Sequence, residues 1–134
     1  MYLEELKDLL EKYKDKSILY VEDEGVIREQ TRRVVSRLFL DVVSVGNGIE
    51  ALNEYEKRNF DIVMTDIQMP NMDGVALIRN ILERSPSQSI VVTTAFNQGD
   101  EVEELKKLGV TTIVAKPVSL QDLFSALLSV FDGK

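Results

Sequence analysis

The sequence predicts a doubly wound α/β domain, and three observations carry that prediction. Short apolar segments alternate along the chain with stretches of helical periodicity. Three of these segments, at 61–65 (DIVMT), 89–93 (SIVVT) and 111–115 (TTIVA), are continuous and rich in β-branched residues. That is the pattern of strands buried on both faces of a parallel sheet. Several of the segments also run directly into reactive polar residues, at the strand ends where open α/β sheets collect ligands.

Taken in order, the chain opens with a helical pattern from residue 2 to about 14. Leu3, Leu6, Leu10 and Tyr13 follow spacings of three and four, a coiled-coil seam that Tyr2 and Leu9 widen. A helix of about 13 residues is not stable alone in water. Its apolar face must be covered by the rest of the domain, by a second copy of the chain, or by continuation of a helix from an upstream domain. Strand one is expected at 17–21, and a helix at 26–38 with Ile27, Thr31, Val34, Val35 and Leu38 on one face. Strand two, weaker, spans 41–45. Asn47-Gly48 marks a turn before a helix that runs to about 58. Strand three is 61–65, followed by a helix at 73–83. Strand four is 89–93, followed by a helix at 100–108 that Gly109 stops. Strand five is 111–115, and the last helix spans 119–131, opened by Ser119 and Asp122 in a capping-box arrangement. The chain divides into an N-terminal amphipathic helix, 1–15, and one domain, 16–134.

Five strands joined by right-handed helical crossovers place helices on both faces of the sheet. In the flavodoxin-like order 2-1-3-4-5, strands one, three and four are neighbours and strand five lies beside four. One crevice would then hold the ends of four strands: Glu22-Asp23-Glu24 after strand one, Asp66 after three, Thr94 after four and Lys116-Pro117 after five.

Composition narrows the chemistry. The 134 residues fit one core. A net charge of −7 argues against a nucleic-acid surface, which needs a basic patch. The chain has no cysteine and no histidine, which removes disulfides, thiolate and imidazole zinc sites, and phosphohistidine chemistry within the chain. No stretch approaches a membrane span or a signal peptide, so no membrane contact and a cytoplasmic location are expected.

The remaining groups make a coherent set. Carboxylates held close repel one another, and a hard cation with oxygen ligands relieves the repulsion. An aspartate is already ionised at neutral pH and can attack without a general base. Phosphoryl transfer needs mainly positioning and neutralised charge, which an ammonium and a hydroxyl can help to supply. Gly74 reads as a backbone requirement, and Met64, Met69 and Met72 as core filling.

LYVEDE, MTDIQMPNMDG, TTA and KP, in this order and at these spacings, resemble the motifs of a response-regulator receiver domain over 16 to about 130. The resemblance implies that Asp66 is the phosphoacceptor. It implies that Asp23 binds magnesium directly, Glu22 through water, and Gln68 through its backbone carbonyl. It implies that Thr94 and Lys116 contact the phosphoryl group, that the Lys116-Pro117 bond is cis, and that Ala95 leaves room. The implied partners are a sensor histidine kinase or phosphotransfer protein and a downstream protein or fused output domain. Three positions depart from the family pattern. Glu22 stands where Asp is commoner. Gln68 and Phe96 occupy positions that tune dephosphorylation. Ile113 replaces the aromatic that normally turns inward as Thr94 moves; Thr94 and Ile113 thus stand at the family's switch positions, and a switch less dependent on an aromatic rotamer is expected here.

Two other readings stay open. An aspartate-nucleophile phosphatase would want an acid two residues after Asp66, where Gln68 stands. A degenerate binding scaffold would not need Asp23, Asp66, Thr94 and Lys116 together. No output domain follows residue 131, so a single-domain regulator or a piece of a longer one is expected.

Overall fold

A computed structural model describes residues 2–69, 72–95 and 99–132, apart from the side chains of residues 2, 3, 5, 6, 9, 10, 99–102, 131 and 132. The elements alternate as expected: α1 (Tyr2–Tyr13), β1 (Ser17–Val21), α2 (Gly25–Val35), β2 (Asp41–Val45), α3 (Gly48–Lys57), β3 (Ile62–Asp66), α4 (Gly74–Arg84), β4 (Ser89–Thr94), α5 (Gly99–Lys107), β5 (Ile113–Ala115) and α6 (Leu120–Leu127). All strand pairs are parallel, and the order is β2-β1-β3-β4-β5.

Alternate residues of a strand face opposite sides of the sheet, and the core divides accordingly. Ile18, Tyr20, Ile62, Met64, Val91 and Val114 face α2 and α6, meeting Val35, Leu123, Phe124 and Leu127. Leu19, Val21, Val63, Ile90 and Val92 face α3, α4 and α5, meeting Ala51, Leu77, Ile78, Ile81 and Leu105. Each large apolar side chain wholly buried in these layers contributes roughly 1.5–3 kcal/mol.

The turn chemistry is as the sequence signals. Asn47 caps α3 by accepting the Glu50 N–H, Asp73 caps α4 by accepting the Ala76 N–H, and Ser119 caps α6 by accepting the Asp122 N–H. Gly109, at φ +87°, ends α5. Its N–H reaches Lys106 O and that of Val110 reaches Leu105 O, the paired bonds of a Schellman cap.

Several boundaries differ from expectation. β3 begins at Ile62, because the Asp61 carboxylate accepts the Ser17 N–H at 2.8 Å and closes the lower end of the sheet instead. It extends to Asp66, which pairs with Thr93. β5 is shorter than expected and only Val114 in it is buried, because it is the sheet's edge. α2 stops at Val35. Leu38 reaches the core from a following turn, in which its N–H bonds Val35 O. α6 stops at Leu127 and passes into a π-helical turn, Leu128–Asp132.

The apolar seam of α1 lies largely outside the described residues, but Tyr13 does not. Tyr13 is wholly buried in the core with Val35, Leu38 and Phe39. The Lys16 N–H returns to Tyr13 O, and the Leu40 N–H bonds Lys14 O. The last turn of α1 is therefore part of the domain's packing.

Candidate functional site

Strand parity explains why the polar groups converge. Glu22 follows Tyr20 by two residues, Asp66 follows Met64 and Lys116 follows Val114. Continued alternation sends all three side chains to the face shared with α2 and α6. The Lys116 ammonium sits between the carboxylates, donating to Glu22 Oε1 at 2.9 Å and to Asp66 Oδ2 at 3.0 Å. Glu22 is completely buried, and its other oxygen accepts the Glu24 N–H at 3.2 Å. Asp66 is 6% exposed. Asp23 lies nearer the solvent, and Glu22, Asp23 and Asp66 each present a carboxylate oxygen within 4.8 Å of the others.

The remaining expected residues surround this cluster. Thr94 ends β4 and is buried; its carbonyl accepts the Lys116 N–H at 2.9 Å, holding the lysine backbone beside β4. The Lys116-Pro117 peptide is cis. Gln68 and Ala95 line the same cleft, about 550 Å³ in volume, whose far wall is Ile27, Thr31 and Val34 of α2. Ile113 is not in the cleft. It pairs with Val92 and packs, half-buried, on the opposite face of the sheet. Phe96 lies outside the described residues.

Beneath the cluster, a Cβ on Gly74 would overlap the Asp66 carbonyl oxygen and lie 2.7 Å from Ile67 Cα. Only glycine lets the start of α4 approach the end of β3 this closely. Its N–H donates to Ile67 O at 2.6 Å.

Electrostatics set the cluster's demand. Burial pushes the Glu22 carboxyl up, and the Lys116 and Glu24 hydrogen bonds offset this only in part. For Lys116, burial works against the charge, but Glu22 and Asp66 outweigh it and the net shift is upward. One ammonium thus serves two buried carboxylates, with a third beside them. The excess of negative oxygen suits a hard cation. Tyr20, below Glu22, is also wholly buried; burial pushes its phenol up to about 12, so it adds no charge.

Sequence reasoning missed Arg28, whose Nη1 donates to the Glu22 carbonyl at 2.8 Å. A signal was available. The residue is a cation in the first turn of a helix, where the helix dipole disfavours positive charge.

A doubly wound sheet of this order, with an acidic cluster and a lysine at the carboxyl ends of its strands, defines a CheY-like class of signalling domain. The chain belongs to the response regulator receiver domain family, whose model matches residues 18–128. It is similar to the chemotaxis protein CheY of Listeria monocytogenes, at 31% identity over 82% of this chain and 93% of that protein. It is also similar to sporulation initiation phosphotransferase F of Bacillus subtilis, at 27% over 84% and 91%. A protein-glutamate methylesterase/protein-glutamine glutaminase of Hahella chejuensis matches at 36% over 75% of this chain, but the match spans only 30% of that protein. Among solved structures, a response regulator receiver domain protein from Clostridium thermocellum superposes with a TM-score of 0.81 at 24% identity, covering 89% and 96% of the two chains. The protein is a receiver domain of two-component signalling. No described helix is long and apolar enough to cross a membrane.

Proposed function

We propose that Asp66 accepts a phosphoryl group from a sensor histidine kinase or phosphotransfer protein, and that the phosphorylated chain presents an altered surface to a downstream protein or fused output domain. The observation that carries this reading is the placement of Lys116 3.0 Å from Asp66, inside a carboxylate cluster 4.8 Å across. An Asp66 oxygen attacks phosphorus, the bond from phosphorus to the donor's imidazole nitrogen breaks, and an acyl phosphate remains on Asp66.

The donor set fits magnesium: three carboxylates whose oxygens converge, at a mouth open to water. Glu22, Asp23 and Asp66 would hold it, with the Gln68 carbonyl. When bound, the ion supplies positive charge to the phosphoryl oxygens. Lys116 can leave Glu22 for a phosphoryl oxygen on Asp66, and the Thr94 hydroxyl serves a second oxygen from the end of β4. Glu22 remains as the buried base of the cluster, and Asp23 as its solvent-side carboxylate.

The names of two relatives, a phosphotransferase and a chemotaxis protein, support this reading. In the methylesterase relative the matched region is under a third of the protein, which supports a fused output as one setting for such a domain. The division proposed is an N-terminal segment, 1–15, that carries α1 and packs through Tyr13, and the receiver unit, 16–134. The chain's own catalysis is confined to its phosphorylation and dephosphorylation.

The test is incubation with acetyl phosphate, with and without magnesium, followed by intact mass measurement. One phosphoryl increment is expected only with magnesium, and none in Asp66→Ala. An increment that persists in Asp66→Ala would sink the assignment.

A further inference from the structure

Arg28 stands in the first turn of α2, six residues after Glu22. Among the described residues it forms no ion pair; its guanidinium instead takes a neutral acceptor, the Glu22 carbonyl, at 2.8 Å. It reaches that carbonyl past Gly46, where a Cβ would lie 3.2 Å from Nη1. Gly46 is itself fixed, its N–H donating to Glu50 Oε1 at 2.9 Å. Glu22 is thereby held on every polar side. Its N–H goes to Val45 O, its carbonyl to Arg28, and its carboxylate to Lys116 and the Glu24 N–H.

We propose that Arg28 is a positioning residue for the acidic cluster. Glu22 and Asp23 are consecutive, yet their carboxylates converge from different directions, one from the interior and one from the mouth. They can do so only while the peptide between them keeps one orientation, and the Glu22 carbonyl is the handle on that peptide. The inference rests on the reading of the cluster as a divalent-cation site.

Charge and geometry make opposite demands on Arg28, which gives the test a sign. As a charge alone, the guanidinium would repel an arriving cation, and its removal would tighten binding. As a positioning group, its removal frees the peptide and weakens binding. Groups that orient metal ligands typically contribute 10–100-fold to affinity.

The experiment is a magnesium titration by calorimetry and a manganese titration by electron paramagnetic resonance. Both are run on the wild-type chain, Arg28→Met, Arg28→Lys and Gly46→Ala, each accompanied by a melting curve. Arg28→Met is expected to weaken both metals roughly ten-fold. Arg28→Lys keeps a donor and should recover most of that loss. Gly46→Ala pushes on the guanidinium without changing any charge and should weaken binding in the same direction; it decides the matter if Arg28→Met does not fold. Unchanged or tighter binding in Arg28→Met overturns the assignment, as does a lysine variant no better than the methionine one. A wild-type chain that binds neither metal overturns the cation-site reading itself, and this inference with it.

Discussion

The Lys116 ammonium lies 2.9 Å from Oε1 of Glu22, a side chain with no exposed surface. Replacing Lys116 with Met would leave two buried carboxylates facing each other without a counter-ion. Removing one partner of a buried pair costs about 3–5 kcal/mol. Denaturant titration of Lys116→Met in EDTA at neutral pH should show a loss of that order. Millimolar magnesium should reduce the loss, because a ligand of the native state supplies the missing charge. A variant as stable as wild type in EDTA would mean the pair contributes nothing.

Glu22 also sets a pH dependence. Its folded pKa lies above its unfolded value because burial disfavours the charge. The contribution to stability is complete below the ordinary glutamate range and is lost as pH rises through the raised folded value. In EDTA, the melting temperature of wild type minus that of Glu22→Gln should therefore fall as pH rises across that window. A difference that grows with pH would contradict the assignment.

Gly74→Ala should unfold part of the population under conditions where wild type is fully folded. The new methyl has no space against the Asp66 carbonyl and Ile67 Cα, and backbone cannot yield as a side-chain tip does. Overpacking of this kind costs about 1–3 kcal/mol or more. The measured loss should be accompanied by changed amide shifts at Asp66 and Ile67. A stable variant with unchanged shifts would show that α4 approaches β3 less closely.

Tyr13→Ala should cost about 3–5 kcal/mol, the range for large aromatic residues in a core, because Tyr13 is wholly buried beside Phe39. Deleting residues 1–14 removes the same side chain and should lower the melting temperature. Phosphorylation of Asp66 should survive the deletion, since the cluster lies at the opposite end of the strands. Sedimentation of the full and the shortened chain will show whether the rest of α1 also pairs with a second copy.

Ile113→Ala should change stability more than signalling. The side chain is half-buried on the face away from Lys116, and its truncation should cost about 1–2 kcal/mol, less than a fully buried isoleucine. The amide shifts induced by beryllofluoride should persist. Their disappearance with the fold intact would make Ile113 part of the switch.

The strands that could be read to the residue, 17–21 and 41–45, are those bounded by local signals: apolar composition and flanking turn residues. The turn at Asn47-Gly48 and the caps at Gly109 and Ser119 are equally local and equally legible, whereas Asp73, expected inside its helix, proves to be the cap before it. What escaped depends on partners distant in sequence. The start of β3 is decided by Asp61 reaching Ser17, 44 residues away. The exposure of β5 follows from its place at the sheet's edge, which no property of Thr111 to Ala115 encodes. Within the site, Glu22, Asp23, Asp66, Thr94 and Lys116 were legible because strand ends and residue chemistry identify them together. Arg28 was overlooked: its place in the first turn of a helix was a signal that something holds it there, but its acceptor is a backbone carbonyl, which residue chemistry alone does not identify.

The brevity of β5 has a mechanical consequence. It pairs with one neighbour over three positions, while β3 is laddered on both sides. Asp66 therefore ends a strand held on both sides, and Lys116 directly follows an edge strand held on one side over three positions. Any force that draws the two side chains closer or lets them part is taken up as movement of the edge rather than of the centre. Solvent deuterium should enter the amides of β5 fastest among the strands, and a change in the bond between Asp66 and Lys116 should alter that rate before it alters any other.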